Sequence, residues 1–338
     1  MTTRATERRV IEIIRHASPG GAGVRVGIGD DCAVLEPSAG RLVLATTDLL
    51  VEDVHFRRRY ATAADVGWKS LAVNLSDIAS MGGRPRWALV ALACPEGVTV
   101  EEAEAFFTGL LELARAHDVA VVGGDPSASP RGWIVNVTLL GEAAPASVLR
   151  STAKSGDVIA VTGALGRAAA GLAVLERETT PAGVAPAALD QVKAAHLRPR
   201  PRVREGQWLG AAGGVTAMID LSDGLATDLG RICEESRVGA RVELARLPQD
   251  AAARAVAAAV GGDALAWATG GGEDYELLVT CHPRAFTRLA DGCADATGTP
   301  LTAIGEITPE QGAVRYTDAA GHEVAVARGF EHFVTGRL

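Results

Sequence analysis

The chain contains Arg41-Leu-Val-Leu-Ala-Thr-Thr47 and, further on, Arg86-Trp-Ala-Leu-Val-Ala-Leu-Ala93, two short runs of apolar and β-forming residues. Between them, residues 63–81 carry apolar side chains at helical spacing, and the pattern stops at the pair Gly82-Gly83. Strand, helix and strand in this order indicate a domain in which helices pack on a sheet.

The same alternation continues outward from this stretch. The chain begins with an amphipathic helix pattern, and Thr99 with Glu102 forms a capping box that opens a helix running to about His117. A small-residue segment, 142–156, is the best domain boundary. We therefore predict an α/β (α+β) fold in two domains, residues 1–142 and 143–338. Later strands are predicted at about 119–122, 133–140, 157–161, 215–220, 239–244, 275–280 and 301–307, and later helices at about 166–177, 201–212 and 224–236.

Composition excludes several classes of protein. The 338 residues are 48% hydrophobic and 22% charged, so the chain can bury a core and is not disordered as a whole. A net charge of −8 without a Lys/Arg block makes nucleic acid or an anionic membrane a poor partner. Five unclustered cysteines suit free thiols in a reducing compartment. The longest apolar run, Trp87 to Cys94, is too short to span a bilayer. We expect a soluble, cytoplasmic protein.

Aspartates concentrate in turns flanked by Gly, Ser or Thr. Each one alone has a structural explanation, because aspartate caps helices and forms Asx-turns. Independent capping is a poor account of the whole set, and the adjacent pair Asp30-Asp31 repels itself unless a cation is near. The set comprises Asp30, Asp31, Asp48, Asp77, Asp125, Asp220 and Asp223.

The residue types select the chemistry. Oxygen donors without clustered His or Cys favour Mg²⁺ over Zn²⁺, and Mg²⁺ commonly shares its ligand shell with phosphates. The sequence has neither GxxxxGK[ST] nor the protein-kinase motifs, and Gly27-Ile-Gly29 continues into Asp30-Asp31 instead of a dinucleotide fingerprint. The residues therefore suggest Mg²⁺-dependent chemistry on a phosphorylated substrate, with a nucleotide as partner.

Several strings occur in a fixed order along the chain. They are Gly27-Ile-Gly-Asp-Asp-Cys-Ala33, Thr46-Thr-Asp48, Val54-His-Phe56, Leu71-Ala-Val-Asn-Leu-Ser-Asp77, Gly123-Gly-Asp125, His196-Leu-Arg-Pro199, Ile219-Asp-Leu-Ser-Asp-Gly-Leu225 and Gly271-Gly-Glu-Asp-Tyr-Glu-Leu277. Together they resemble the thiamine-monophosphate kinase family, a branch of the aminoimidazole-ribonucleotide-synthetase-like superfamily. The resemblance covers about residues 6 to 335 and implies ATP binding without a P-loop, an N-terminal α/β domain that dimerises through its sheet, and a C-terminal α/β domain.

The resemblance also implies roles for single residues. Asp30 is expected to support the metal site beside Asp31. Positions matching ATP contacts are Gly124, Asp125, Arg150 and Ser222, and Arg150 suits phosphate oxygens. Positions matching Mg²⁺ ligands are Asp31, Thr46, Thr47, Asp48, Asp77, Asp125, Asp220 and Asp223.

For the acceptor the matching positions are His55, Glu273 and Phe330. Glu273 is expected to neutralise the thiazolium or bind the aminopyrimidine, and Phe330 to stack on a ring. Each also has a plain structural alternative: a hydrogen-bonding histidine, a capping glutamate and a core aromatic. The chain departs from the family pattern at Pro126-Ser127, where threonines are common, and at His117, where a tyrosine is common.

The implied reaction is in-line transfer of the γ-phosphoryl group of ATP to thiamine phosphate by a homodimer. No covalent nucleophile is needed, and no catalytic Ser, Cys or His stands out. Two alternatives stay open: an aminoimidazole ribonucleotide synthetase and a non-catalytic nucleotide- or metal-binding module. A selenophosphate synthetase is disfavoured because residues 1–26 contain no Cys or Lys, and a hydrogenase-maturation dehydratase because the chain does not end in cysteine.

Overall fold

The computed structural model describes residues 4, 6–18, 20–29, 32–145, 147–327 and 329–330. The helices are α1 Glu7–Ala17, α2 Ala63–Ser80, α3 Val100–Ala116, α4 Arg167–Leu175, α5 Pro186–Leu197, α6 Val203–Ala212, α7 Leu225–Ser236, α8 Ala251–Val260, α9 Ala264–Gly270 and α10 Phe286–Thr297. The strands are β1 Val24–Val26, β2 Val34–Leu35, β3 Leu42–Val51, β4 Arg84–Pro95, β5 Ala120–Ser129, β6 Ile134–Ala143, β7 Val158–Thr162, β8 Val215–Asp220, β9 Gly239–Glu243, β10 Leu277–Cys281, β11 Leu301–Thr308 and β12 Val314–Thr317.

The chain divides into two compact units, Met1–Ile78 with Gly83–Ala146 and Ala79–Gly82 with Ser147–Leu338. The first contains a four-stranded sheet in the order β3-β6-β4-β5, in which only β4 and β5 run parallel. Alternate residues of β6 (Val135, Val137 and Leu139) are fully buried, as expected for a sheet with one covered face.

Helices α2 and α3 of the first unit approach each other unusually closely. A side chain at Gly67 would lie 2.0 Å from the carbonyl oxygen of Phe106, and one at Gly109 would lie 1.9 Å from that of Ala64. Only glycine fits at these two positions, so the backbones themselves are in contact. Their close packing fixes α2, which carries Asp77.

The opposite face of this sheet is apolar and open within the described unit. Val43 and Leu49 on β3 are each 50% exposed, and Leu89 on β4 is 37% exposed. Near one end of the sheet, Val24 and Leu35 of the β1–β2 hairpin pack around Trp87. An exposed apolar sheet face of this kind is a common site of contact between protein chains.

The second unit contains a six-stranded sheet in the order β12-β9-β11-β7-β10-β8, antiparallel except for the β12–β9 pair. Helix α7 packs on it through Leu225, Leu229 and Ile232, all nearly inaccessible. A second core joins α4, α5 and α8. Both units are therefore mixed helix-and-sheet structures.

Helix α4 takes its N-terminal cap from a distant part of the chain. Its N-cap residue, Gly166, has no side chain, and the Asp274 carboxylate instead accepts hydrogen bonds from the backbone N–H groups of Gly166 (2.6 Å) and Ala168 (3.2 Å). Burial raises the pKa of Asp274 to about 7, and the two backbone donors act in the opposite direction.

Most predicted elements are confirmed, including α1, α2, the capping box of Thr99 and Glu102, and the strands β6 to β11. Two strand ends were wrong. Strands were predicted at 41–47 and at about 119–122, but β3 continues to Val51 and β5 to Ser129, because β6 and β4 supply hydrogen-bonding partners along their full lengths. Helices α5, α8, α9 and α10 and the short strands β1, β2 and β12 were not predicted.

All five cysteines have free thiols, as expected. In the part of the chain that the structure describes, no helix is both long enough and apolar enough to cross a membrane.

Candidate functional site

Two carboxylates of the first unit lie close together. Thr46 and Asp48 are two residues apart on β3 and so point to the same face, where the Thr46 hydroxyl donates a hydrogen bond to Oδ2 of Asp77 on α2. Burial, and secondarily the charge of Asp77, raises the pKa of Asp48 to about 7. The structure therefore brings together three of the predicted metal ligands, as a repelling pair of carboxylates with a hydroxyl beside them.

The side chain of Thr47 lies on the other face of the same strand. Its hydroxyl donates to the carbonyl oxygen of Val137 (3.2 Å) and lies 3.1 Å from the Thr138 hydroxyl. The Asn136 amide donates to the Thr47 hydroxyl at 2.9 Å. Neighbouring residues in a strand point to opposite faces. The structure thus does not bring the Thr47 hydroxyl to Thr46 and Asp48.

The nucleotide-matched residues of the first unit lie on the edge strand β5. Strand register places Asp48, Val137, Val90 and Gly124 in one row across the sheet. Three strand spacings separate Asp48 from Gly124, about 14 Å. Gly124 and Asp125 are exposed. The predicted ligands of this unit are therefore spread across the sheet and do not meet at one point.

His55 closes the turn that follows β3. Its Nδ1 accepts a hydrogen bond from the backbone N–H of Val51 (3.0 Å), and its carbonyl oxygen accepts one from Nζ of Lys69 (3.3 Å). The bond from Val51 gives the imidazole a structural role, which was the plain alternative at this position. Its predicted contact with the acceptor stays a prediction.

In the second unit, Asp220 ends β8 and is 5% exposed, and Asp223 lies in the turn before α7. Asp228 of α7 accepts hydrogen bonds from the backbone N–H groups of Asp223 and Gly224, each 3.1 Å long. Arg231, one turn later, donates to Asp228 Oδ1 (2.8 Å) and to Oδ2 of Asp223. Helix α7 thus fixes both the backbone and the side chain of Asp223.

The electrostatics of this cluster follow from burial. Burial, and then the charge of Asp223, raises the pKa of Asp228 to about 7, with Arg231 acting in the opposite direction. Neither Asp228 nor Arg231 was predicted. The available signal was their spacing, because residues three apart on a helix face each other and Asp228 lies in the first turn, where backbone N–H groups need acceptors.

Two predicted acceptor-binding residues, Glu273 and Phe330, meet the turn that contains Ser222 and Asp223. The backbone N–H of Glu273 donates to the Ser222 carbonyl oxygen (2.7 Å), and that of Phe330 donates to the Asp223 carbonyl oxygen (3.2 Å). Glu273 has a left-handed backbone, with φ of 57°, and Phe330 is 44% exposed. Backbone in this region costs about 1–3 kcal/mol and is concentrated at functional sites.

The remaining predicted residues are placed as follows. Arg150 is exposed, and its carbonyl oxygen accepts a hydrogen bond from the Ser236 hydroxyl (2.9 Å). Asp30 and Asp31 lie outside the described residues. Within the described residues, no three His, Cys, Asp or Glu side chains converge as a ready-made metal site. The carboxylate groups described above are pairs.

Comparisons with known proteins match both units. Residues 29–143 match the family model "AIR synthase related protein, N-terminal domain", and residues 154–317 match "AIR synthase related protein, C-terminal domain". The thiamine-monophosphate kinase of Escherichia coli (strain K12) is 40% identical over 320 residues, which are 92% of this chain and 93% of that protein.

Solved structures show the same relationship. The thiamine-monophosphate kinase of Stenotrophomonas maltophilia K279a superposes with a TM-score of 0.81 at 37% identity, covering 94% of this chain and 97% of that one. A structure described as "AaThiL complexed with AMPPCP and TMP" superposes with a TM-score of 0.76 at 31% identity, covering 96% of both chains. The chain belongs to the thiamine-monophosphate kinase family.

Proposed function

We propose that the chain transfers the γ-phosphoryl group of ATP to thiamine phosphate, giving thiamine diphosphate and ADP. One observation carries this proposal: a relative that matches 96% of this chain is described as complexed with AMPPCP, an analogue of ATP, and TMP, which we take to be the thiamine monophosphate of the family name. The 40% identity to a thiamine-monophosphate kinase, spread over 92% of the chain, supports the same assignment.

The described residues support a mechanism without a covalent intermediate. The acceptor is a phosphate oxygen that is already ionised near neutral pH, so positioning and charge stabilisation dominate the barrier. Burial raises the pKa of Cys94 to about 12 and of Cys233 and Cys281 to about 11, so these thiols stay protonated and are poor nucleophiles. The residues of the chain would therefore act by holding the γ-phosphate of ATP in line with the phosphate of the acceptor.

We propose Mg²⁺ as the cation that the site requires. The donor set fits, because Asp48, Asp77 and Thr46 present only oxygen atoms, and because burial, followed by the charge of Asp77, raises the pKa of Asp48, which a nearby cation would offset. We propose that further Mg²⁺ ions are held by Asp125 and, by resemblance, Asp31 in the first unit, and by Asp220 and Asp223 in the second unit. When bound, Mg²⁺ offsets the charge of phosphate oxygens.

For ATP, we propose contacts from Gly124, Asp125, Arg150 and Ser222. Gly124 supports this role because a side chain there would lie 2.0 Å from the Val90 carbonyl oxygen, so this stretch of β5 stays bare backbone, which a phosphate can approach closely. Arg150 is exposed and supplies a guanidinium suited to phosphate. The free thiols support a reducing, cytoplasmic location.

We also propose a homodimer built on the open face of the first unit's sheet. Val43, Leu49 and Leu89 present exposed apolar side chains there. Burying them against a second copy would remove apolar area worth about 25 cal/mol per Å². Leu49→Lys is expected to produce monomers in analytical ultracentrifugation, whereas Leu172→Lys, at a similarly exposed leucine of α4, is expected to leave the dimer intact. A wild-type monomer would contradict the proposal.

A single incubation tests the activity. Purified protein, ATP, Mg²⁺ and thiamine phosphate are mixed, and the thiamine esters are separated and quantified. We expect thiamine diphosphate to accumulate in step with ADP, and no product when thiamine phosphate is omitted. Turnover of formylglycinamidine ribonucleotide without thiamine diphosphate would instead identify an aminoimidazole ribonucleotide synthetase. No turnover of either substrate would favour a non-catalytic binding module.

A further inference from the structure

A buried histidine supports the Glu273 carboxylate. His196 lies in the last turn of α5 and is 3% exposed. Its Nδ1 lies 2.9 Å from Oε2 of Glu273. A carboxylate oxygen only accepts, so the imidazole nitrogen is the donor. The sequence motif His196-Leu-Arg-Pro199 had no assigned role, and this contact supplies one.

The position of His196 is itself tightly fixed. Helix α4 crosses α5 so closely that a side chain at Gly171 would lie 2.0 Å from the Val192 carbonyl oxygen and 3.1 Å from Cβ of His196. Val192 is fully buried in the core that joins α4, α5 and α8. A side chain held by such packing can transmit its position to a hydrogen-bonded partner.

Glu273 is restrained at both ends. Its backbone N–H is bound to the Ser222 carbonyl oxygen, and its carboxylate is bound to His196. The side chain is 26% exposed and lines a cavity of about 340 Å³. Glu273 therefore borders a space large enough for part of a small ligand, and the two restraints limit the rotamers that its side chain can adopt there.

Four arginines line this cavity beside Glu273: Arg198, Arg200 and two that pair with other carboxylates. Arg167 binds Asp250 at 2.6 Å, and Arg202 binds Glu276. These two arginines are therefore engaged with carboxylates other than Glu273. Glu273 instead has an imidazole as its basic partner. Its charge is thus better placed to meet a cationic ligand than the charges of Asp250 and Glu276.

We propose that His196 is a positioning residue that orients Glu273 toward the cationic ring system of the acceptor, so that the pair determines affinity for thiamine phosphate. The inference rests on the proposed function. His196 does not touch the reacting phosphates in this scheme. Its effect is confined to the binding of one of the two substrates, which distinguishes it from a residue that only stabilises the fold.

The test compares three substitutions in the full-length protein. His196→Leu removes the donor, His196→Asn places an amide N–H near the position of Nδ1, and His196→Gln places one near Nε2 instead. We expect Leu and Gln to raise KM for thiamine phosphate about tenfold, with kcat and KM for ATP within about twofold of wild type. We expect Asn to recover most of the affinity.

Glu273→Gln supplies the matched partner variant. It should raise KM for thiamine phosphate to a similar extent because it removes the negative charge, and adding His196→Gln should cause little further change, because no carboxylate is then left to orient. Equal KM values for the Asn and Gln variants, a parallel rise in KM for ATP, or fully additive effects would each overturn the proposal. If His196→Leu does not fold, the Asn and Gln variants decide.

Calorimetric titration with thiamine phosphate separates this inference from the proposed function. A wild-type protein that binds thiamine phosphate without phosphorylating it would contradict the proposed function, while the dissociation constants of the Asn and Gln variants would still decide the role of His196. A wild-type protein that neither binds nor converts thiamine phosphate would overturn both.

Discussion

The two units treat neighbouring carboxylates in opposite ways. In the first unit, Asp48 and Asp77 lie close together, and within the described residues no arginine or lysine is paired with Asp48. In the second unit, Asp223 and Asp228 also lie close together, but Arg231 donates to both. Asp48 therefore faces a like charge, whereas Arg231 neutralises the second pair.

This difference separates carboxylates that would bind a ligand from carboxylates that stabilise the fold. A buried carboxylate such as Asp48, which has another carboxylate beside it, costs stability when it ionises, and such a cost is typical of residues that bind a ligand. Asp228 instead satisfies backbone N–H groups at the start of α7 and holds Arg231, so that its charge is used within the protein. Asp48 and Asp77 should therefore govern activity, whereas Asp228 and Arg231 should govern stability.

The largest expected effect tests the first half of this comparison. Asp77→Asn should lower kcat/KM by roughly 100-fold or more, because it removes a carboxylate from the proposed Mg²⁺ site while the amide oxygen still accepts the Thr46 hydrogen bond. Steady-state assays and circular dichroism spectra would check loss of activity with retention of fold. Asp190→Asn, at an exposed position of α5, is the control. Near-normal turnover of Asp77→Asn would contradict the assignment.

The second prediction concerns the internal cation. Arg231→Gln should lower the free energy of unfolding at pH 8 by about 1–2 kcal/mol, a value reduced from that of a fully buried pair because Arg231 is 41% exposed. The loss should shrink at pH 5.5, where Asp228, with a pKa of about 7, is largely protonated. Urea denaturation at both pH values measures the difference.

The exposed pair Arg246 and Glu243 provides a control for Arg231. Arg246→Gln should change the free energy of unfolding by less than about 0.5 kcal/mol. Combining Asp228→Asn with Arg231→Gln should restore part of the lost stability at pH 8, because the repulsion with Asp223 is then removed. Equal losses for Arg231→Gln at the two pH values would show that Arg231 acts through packing and not through charge.

The smallest expected effect has the opposite sign. The folded state raises the pKa of Asp48 from 3.8 to about 7, so ionising this group costs stability that is intact below pH 3.8 and is lost as the pH rises toward 7. Asp48→Asn should therefore stabilise the protein in EDTA at pH 8 by about 1 kcal/mol, a rise in Tm of about 2–4 °C. The gain should be smaller at pH 5.

Differential scanning calorimetry with and without Mg²⁺ completes this test. Added Mg²⁺ should raise the Tm of the wild type more than that of Asp48→Asn, which narrows or reverses the gap between them. A destabilised Asp48→Asn variant at pH 8 would show that the carboxylate makes favourable contacts and that the two units do not differ in the way described above.

The sequence allowed the residues of the first pair to be predicted but not the faces on which they lie. Thr46, Thr47 and Asp48 form one continuous motif, yet strand geometry sends Thr47 to the other face. Such an assignment depends on how far β3 extends. Its length is set by β6, which lies about ninety residues further along the chain.

The partners that support the site could not be predicted for a similar reason. His196 meets Glu273, and Asp274 meets Gly166, only after the second unit has folded. No local sequence pattern predicts such long-range contacts. Arg231 and Asp228 are the exception, since their spacing on one helix could have revealed them. Helices α5 and α8 to α10 were missed because many alanines and glycines weaken the apolar periodicity on which prediction depends.

The borrowed cap of α4 also sets an order of events during protein synthesis. The carboxylate that binds the start of this helix belongs to Asp274, 108 residues after Gly166. A ribosome adding roughly 5–20 residues per second needs roughly 5–20 s to make that segment. Strand β7 is likewise synthesised well before β10 and β11, the two strands with which it pairs. The second unit therefore leaves the ribosome with its first helix uncapped and its central strand unpaired, and this interval is the one in which a chaperone would have most to protect.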